Sequence, residues 1–285
     1  MLLKIIIVIA CVILVYIIWQ WLELKKFART DYEIKSGKVQ REYKAAVLAD
    51  LHGFQYGKDN IRLLDAIRSG QPDLILIPGD MVVSRKSDTY ETALKILEEL
   101  CRIAPVYYSY GNHESRAHIR KSEYQEKFFA FENKVKELGI HVLHNETEAF
   151  GELVVTGLEI PLSCYKKGVD VPLPQDYLEK TLPEQTEDTF QVLLAHNPRY
   201  AKEYADWGAD LTFCGHNHGG LIRIPGVGSL ISPQFQWFPK YDAGAFDFEG
   251  KKVIVSRGLG THTFHIRIFN RAELVFMVIK PQDIA

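Results

Sequence analysis

Five short polar clusters, each placed directly after an apolar run, constrain this chain more than any other feature. Asp50-Leu51-His52 follows residues 43–49, Gly79-Asp80 follows 74–78, and Gly111-Asn112-His113-Glu114 follows 106–110. Later, His196 follows 191–195 and Gly215-His216-Asn217-His218 follows 211–214. Apolar runs of this length bounded by turn residues read as buried strands. In an open α/β sheet the carboxyl ends of the strands converge on one crevice, so residues distant in sequence meet there. A single Asp-x-His or His-x-His is commonplace and is often only a solvated pair. Five such clusters at successive strand ends require independent accidents to coincide.

The rest of the chain supports a layered α/β domain. Further strands are expected at 153–158, 252–256 and 273–279, and helices at 59–69, 89–102, 122–138 and 199–206. The pattern contains no fixed-period repeat, no low-complexity tract and no second domain boundary. Residues 161–187, with several prolines and acidic residues, read as a long excursion that either borders a binding site or is a plain surface insertion. The expected organisation is a membrane anchor at 1–24, a polar linker at 25–42 and a catalytic domain at 43–285.

Between Ile5 and Trp19 no residue is charged, and Trp21 and Leu22 extend the run past Gln20. At ~1.5 Å per residue the stretch approaches the ~30 Å of a hydrocarbon core, which makes a transmembrane helix the leading reading. Trp19 and Trp21 fall where interfacial aromatic rings are favoured. A cleaved signal peptide lacks its small-residue cleavage site here, and the Val8-Ile9-Ala10-Cys11 box has too short an apolar run before it for a lipoprotein signal. Lys25, Lys26 and Arg29 outnumber Lys4, so the positive-inside bias places the domain in the cytoplasm.

Charge and cysteine content exclude several classes. A formal net charge of -2 gives no basic excess for a nucleic-acid backbone, and no nucleic-acid-binding surface is apparent. Cys11, Cys101, Cys164 and Cys214 are scattered, with no C-x-x-C pair, so no disulfide framework is expected and a reducing compartment is favoured. The oligomeric state leaves no trace in the pattern.

The strand-end residues suit metal ions. Carboxylate, imidazole and one amide fit manganese, iron, zinc or similar divalent cations better than magnesium or calcium. Asp50, Asp80, Asn112, His52, His196, His216 and His218 are too many for one ion; two ions sharing a carboxylate would use them all.

The order D-x-H, G-D, G-N-H-E, H, G-H-x-H over 50–218 resembles the calcineurin-like metallophosphoesterase family. Within it, the hydrophobic N-terminus, the segment 215–220 and the stretches Phe238-Pro239-Lys240-Tyr241 and Ser256-Arg257-Gly258-Leu259-Gly260 are similar to the membrane-associated bacterial branch. The resemblance implies an αββα sandwich and two divalent metal ions. It also implies hydrolysis of phosphate esters, as a phosphodiesterase, by a hydroxide bridging the two ions. Asp50, His52 and His218 would hold one ion, Asn112, His196 and His216 the other, and Asp80 would bridge. His113 would be the catalytic histidine at the leaving group, oriented by Glu114. Asn217 and Leu221 depart from the branch, which commonly has Thr and Gln there; neither is a ligand, so the departure concerns the substrate pocket.

Two other functions compete. Membrane anchoring suits a lipid-linked phosphodiester or pyrophosphate, such as a nucleotide-lipid, as substrate. A silent membrane scaffold is disfavoured by the intact ligand set. A metallo-β-lactamase site would need an H-x-H-x-D-H run, which is absent.

The remaining histidines, His118, His141, His144, His262 and His265, are expected on the surface or in packing, with His262 and His265 possible liners of the phosphate site. Arg257 reads equally as a phosphate ligand or a structural salt bridge. Phe235, Trp237, Phe238 and Tyr241 are expected to pack beneath a loop, the alternative being an apolar wall beside the site.

Overall fold

Several strands are apolar on both faces, so they must lie between other layers. The computed structural model describes residues 1–186, 188–261 and 265–282. Ten elements lead to the first sheet and its cover: α1 (Leu2–Leu24), β1 (Phe27–Ser36), β2 (Tyr43–Val47), α2 (Ile61–Ser69), β3 (Leu74–Ile77), α3 (Asp88–Cys101), β4 (Val106–Ser109), α4 (Asn112–Ile119), α5 (Glu123–Glu137) and β5 (His141–Leu143). The second half adds β6 (Thr147–Phe150), β7 (Leu153–Leu158), α6 (Tyr177–Thr181), β8 (Phe190–Ala195), α7 (Ala201–Trp207), β9 (Leu211–Cys214), β10 (Ile222–Ile224), β11 (Gly228–Ile231), β12 (Gly244–Phe248), β13 (Lys251–Val255) and β14 (Ala272–Pro281).

Two six-stranded sheets form, in the orders β1-β14-β2-β3-β4-β5 and β12-β13-β9-β8-β7-β6, with β10 and β11 as a separate ribbon. The side-chain period of two sorts each strand between two cores. On β2, Ala45 and Val47 face the second sheet, where Val155, Val192 and Phe213 meet them. Ala46, between them, faces the helices instead, joining Leu63 and Ile67 of α2, Ile96 and Leu100 of α3, and Phe128 and Val135 of α5. The i, i+3, i+4, i+7 spacing of these helical residues gives each helix one apolar stripe. On the far side, Ala201, Tyr204 and Leu178 cover Leu193, Val253 and Val255. The result is the expected αββα sandwich.

The stretch expected as a linker is a correction. Phe27–Ser36 forms a ten-residue edge strand, parallel to β14 in register from Phe27 opposite Ala272 to Ser36 opposite Pro281. Its polar composition follows from its place at the sheet edge, where alternate residues are exposed. Helix α1 therefore runs almost directly into the domain. It is long and apolar enough to cross a membrane, and its candidate window has no buried residue. Its final turn docks on the domain: Glu23 pairs with Arg271, and the Trp19 and Phe269 rings lie 6.4 Å apart.

Candidate metal centre

The five clusters do meet, and the backbone is bent to allow it. Asp50, His52, Asp80, His216 and His218 all have positive φ, between 49° and 66°. L-residues rarely occupy this region, and such strain persists only where the surroundings impose it. Neighbouring glycines make room. A Cβ on Gly111 would stand 2.2 Å from Asp80 Oδ1, and one on Gly215 would stand 2.4 Å from Asp50 Oδ2.

Three overlapping groups of donor atoms result, each within 4.8 Å: Asp50, His52 and His218; His52, Asp80 and His113; Asp80, His196 and His216. His52 Nε2 lies 3.1 Å from His218 Nε2, and His218 Nε2 lies 3.5 Å from Asp50 Oδ1. His196 Nε2 lies 3.1 Å from Asp80 Oδ2 and 3.7 Å from Asp50 Oδ1. Backbone carbonyls hold two of the rings by their other nitrogens: His196 Nδ1 donates to Pro78 O at 2.8 Å, and His52 Nδ1 lies 3.3 Å from Val82 O. That leaves Nε2 of each directed at the cluster, the usual arrangement around a metal-binding imidazole.

The donor set fits divalent cations. Asn112 Oδ1 is buried without a hydrogen-bond partner, an arrangement that costs free energy unless a ligand satisfies it. Electrostatics agrees. Burial pushes Asp50 up, with Asp80 adding to it and His196 opposing. Burial acts on Asp80 in the same sense, but the His196 and His113 rings outweigh it and hold its carboxyl well below the usual range. Burial disfavours a charged His196, yet Asp80 and Asp50 raise it to about 9. These groups hold protons for one another, which bound cations would displace.

His113 opens α4 beside the cluster. Its backbone N–H donates to Asp80 Oδ1 at 2.8 Å, and its Nδ1 accepts from the Ser84 N–H at 3.1 Å. A ring nitrogen that accepts carries no proton, so the neutral ring is protonated at Nε2. Glu114 has partners beyond the His113 that it was expected to orient. Its carboxylate accepts from the N–H groups of Asp80, Val82 and Gly111 and from the Tyr108 hydroxyl. Glu114 thus fastens the two ligand loops together. Burial, with Asp80 near, pushes it up to about 8, the hydrogen bond from the Tyr108 hydroxyl opposing.

A cavity of about 700 Å³ opens over the cluster, lined by His52, Asn112, His113, Tyr165 and His216 among others. Tyr165, from the excursion at 161–187, lies 5.0 Å from the His216 ring, so that segment borders the site. Arg267 was not foreseen. It is buried, donates to the carbonyls of Arg257 and Gly258, and lies 3.5 Å from His218 Nδ1. No motif surrounds it; the contact exists only in three dimensions. His265 lines the cavity, whereas His262 lies outside the described residues. Arg257 pairs with Glu273 at 3.1 Å, the structural reading. His118, His141 and His144 sit near Glu132, Glu148 and Glu159, away from the cluster.

Three of the four clustered aromatics are a further correction, while Tyr241 packs against Phe246 and Phe248 as expected. Trp237 is 67% exposed, Phe238 59% and Phe235 49%, so these rings do not pack beneath a loop. With Tyr241 and Asn217 they line a second cavity of about 500 Å³. A segment punctuated by proline and glycine has too little regular structure to cover them.

A sandwich of this order, with Asp, Asn and His gathered at its strand ends, defines a metallophosphoesterase. The chain matches the model of the calcineurin-like phosphoesterases over residues 43–220 and belongs to that family. It is therefore a hydrolase of phosphate esters, of a family built on a dinuclear metal site. Among its relatives, it is 30% identical to phosphodiesterase YaeI of Escherichia coli, over 82% of this chain and 81% of that one. It is 24% identical to the metallophosphoesterase YkuE of Bacillus subtilis, over 93% and 89% of the two chains. It is also 24% identical to the UDP-2,3-diacylglucosamine pyrophosphatase LpxG of Chlamydia muridarum, over 91% and 92%.

Proposed function

We propose that this protein is a membrane-tethered phosphodiesterase working with two divalent ions. Asp50, His52 and His218 would hold one, Asn112, His196 and His216 the other, and Asp80 both. The carrying observation is that Asp80 belongs to two of the donor groups, one with His196 and His216 and one with His52 and His113. Manganese, iron and zinc suit the donors. When bound, the ions supply an activated water and charge neutralisation for the phosphoryl group.

The protein's own residues do the rest. Asp80 fixes His113 through its backbone N–H, and the Ser84 N–H sets the ring so that Nε2 carries the proton. That proton is placed to reach the departing oxygen, a general-acid role. Glu114 holds the loops of Asp80 and His113 in one frame. The likeness to YaeI supports a diester as substrate.

A second reading, a lipid-linked diester or pyrophosphate, is favoured by the docking of α1 on the domain and by the likeness to LpxG. The cationic flank of Lys25, Lys26 and Arg29 supports a cytoplasmic face. The test is metal analysis of protein purified without chelators, together with hydrolysis of soluble and lipid diesters in manganese, iron and zinc. Less than one metal per chain and no diester hydrolysis in any metal would refute the proposal.

A further inference from the structure

The cavity above the metal cluster has a one-sided charge. Arg85, Lys86, Arg116, Arg120 and Lys167 line it, and no carboxylate does so among the described residues. Arg85, Arg116 and Arg120 form no ion pair or hydrogen bond through their guanidinium groups with any described residue. By contrast, Arg29, Arg68, Arg102, Arg199, Arg223, Arg257 and Arg271 pair with acids. Arg116 is half-buried; burial pulls its guanidinium down, with Arg120 and Arg85 adding to it and Asp80 opposing, so holding it charged without a hydrogen-bonded partner costs free energy.

Position adds meaning to the charge. His113 and Arg116 stand at i and i+3 in the first turns of α4, on one helix face, and Arg120 follows directly after the helix as its C-cap. The cations thus continue outward from the residue assigned to the leaving group. Cations placed where a leaving group departs are useful when that group is itself an anion.

We propose that Arg116, with Arg85 and Arg120, forms a second phosphate subsite, and that the substrate is a diphosphate diester: two organic groups joined through a P–O–P bridge. This rests on the assignment of His113 to the leaving-group side. In the reaction, water adds to one phosphorus, the bridging P–O bond of that phosphorus breaks, and two phosphate monoesters leave, the departing one with a proton from water by way of His113. Arg116 grips the departing phosphate, and its planar fork suits two phosphate oxygens at once.

The experiment has two arms. In the first, inorganic pyrophosphate is titrated calorimetrically into full-length protein stripped of divalent metal. Arg116→Gln should weaken binding roughly 10- to 100-fold. In the second, kcat and KM are compared for a diphosphate diester and a single-phosphate aryl diester. Arg116→Gln should raise KM for the first by a similar factor, well beyond its effect on the second, and Arg116→Lys should recover part of the difference. Thermal melts establish that the variants are folded. Unchanged pyrophosphate binding and an unchanged substrate ratio in folded Arg116→Gln overturn the subsite while leaving the metal centre standing. Arg116-dependent pyrophosphate binding in a protein that hydrolyses neither substrate in any metal sinks the metal reading and leaves the subsite intact.

Discussion

Gln20 and Arg267 exchange two hydrogen bonds across 247 residues of chain: Gln20 Nε2 donates to Arg267 O, and Arg267 N donates to Gln20 Oε1, both at 3.1 Å. Gln20 is the buried residue of an otherwise exposed helix, and Arg267 reaches on to His218. The polar residue that interrupts the apolar run thus joins Glu23 and Trp19 in docking the N-terminal helix on the domain, one residue away from the Asp/His cluster. Gln20→Leu leaves a buried N–H and C=O unpaired, at ~1–3 kcal/mol each. A thermal melt in detergent should show this loss, with pyrophosphate or metal affinity little changed. An unaltered melt would show that the pair contributes nothing.

Asp80 and His113 should separate metal binding from turnover. Asp80→Asn is expected to lose metal, since Asp80 belongs to two of the donor groups. His113→Ala should retain it but lose ~10²–10⁴-fold in kcat, the range of a general acid. Metal content and single-substrate kinetics on the same preparations check both.

Gly215→Ala tests the close approach of backbone and ligand. The added methyl would stand 2.4 Å from Asp50 Oδ2, and the His216 N–H beside it donates to both Asp50 oxygens at 3.0 Å. Displacing Asp50 should lower occupancy of the ion that Asp50, His52 and His218 are proposed to hold. Metal stoichiometry by elemental analysis is the readout, with two ions per chain in the variant as the contrary result.

An exposed His144 and a largely buried Glu159 pair at 2.9 Å, neither of them lining the cavity. The hydrogen bond that His144 Nδ1–H donates to the Glu159 carboxylate raises His144 above 6.5, against the effect of burial. Because the folded value is the higher one, this contribution is fully present below about pH 6.5 and fades as pH rises through the folded value. Solvent screening keeps it to about 0.5 kcal/mol. Denaturation of wild type and His144→Gln between pH 6 and 9 should converge at the alkaline end; parallel curves would exclude the pair.

Strands β7 and β9 were legible to the residue, since their apolar runs are bounded sharply by turns. So were α3 and α5 to within a residue, through apolar positions at helical spacing. Edge strand β1 was not, because half its residues face water and its composition matches a linker. The short α4 was hidden because its sequence is a binding motif before it is a helix. Every residue named for the metal cluster lies at a described strand end or, for Asn112 and His113, at the start of α4.

The residue types and their order pointed by themselves to Asp, Asn and His gathering at strand ends, because continuous apolar runs bury strands between layers and loops must begin where the runs stop. Tertiary structure alone decided what Glu114, Arg116, Tyr165, Gln20 and Arg267 do. Their roles depend on which surfaces face each other across tens to hundreds of residues, and on which charges find no partner when the chain closes. Local sequence carries neither kind of information, since pairing and burial are properties of the packed molecule.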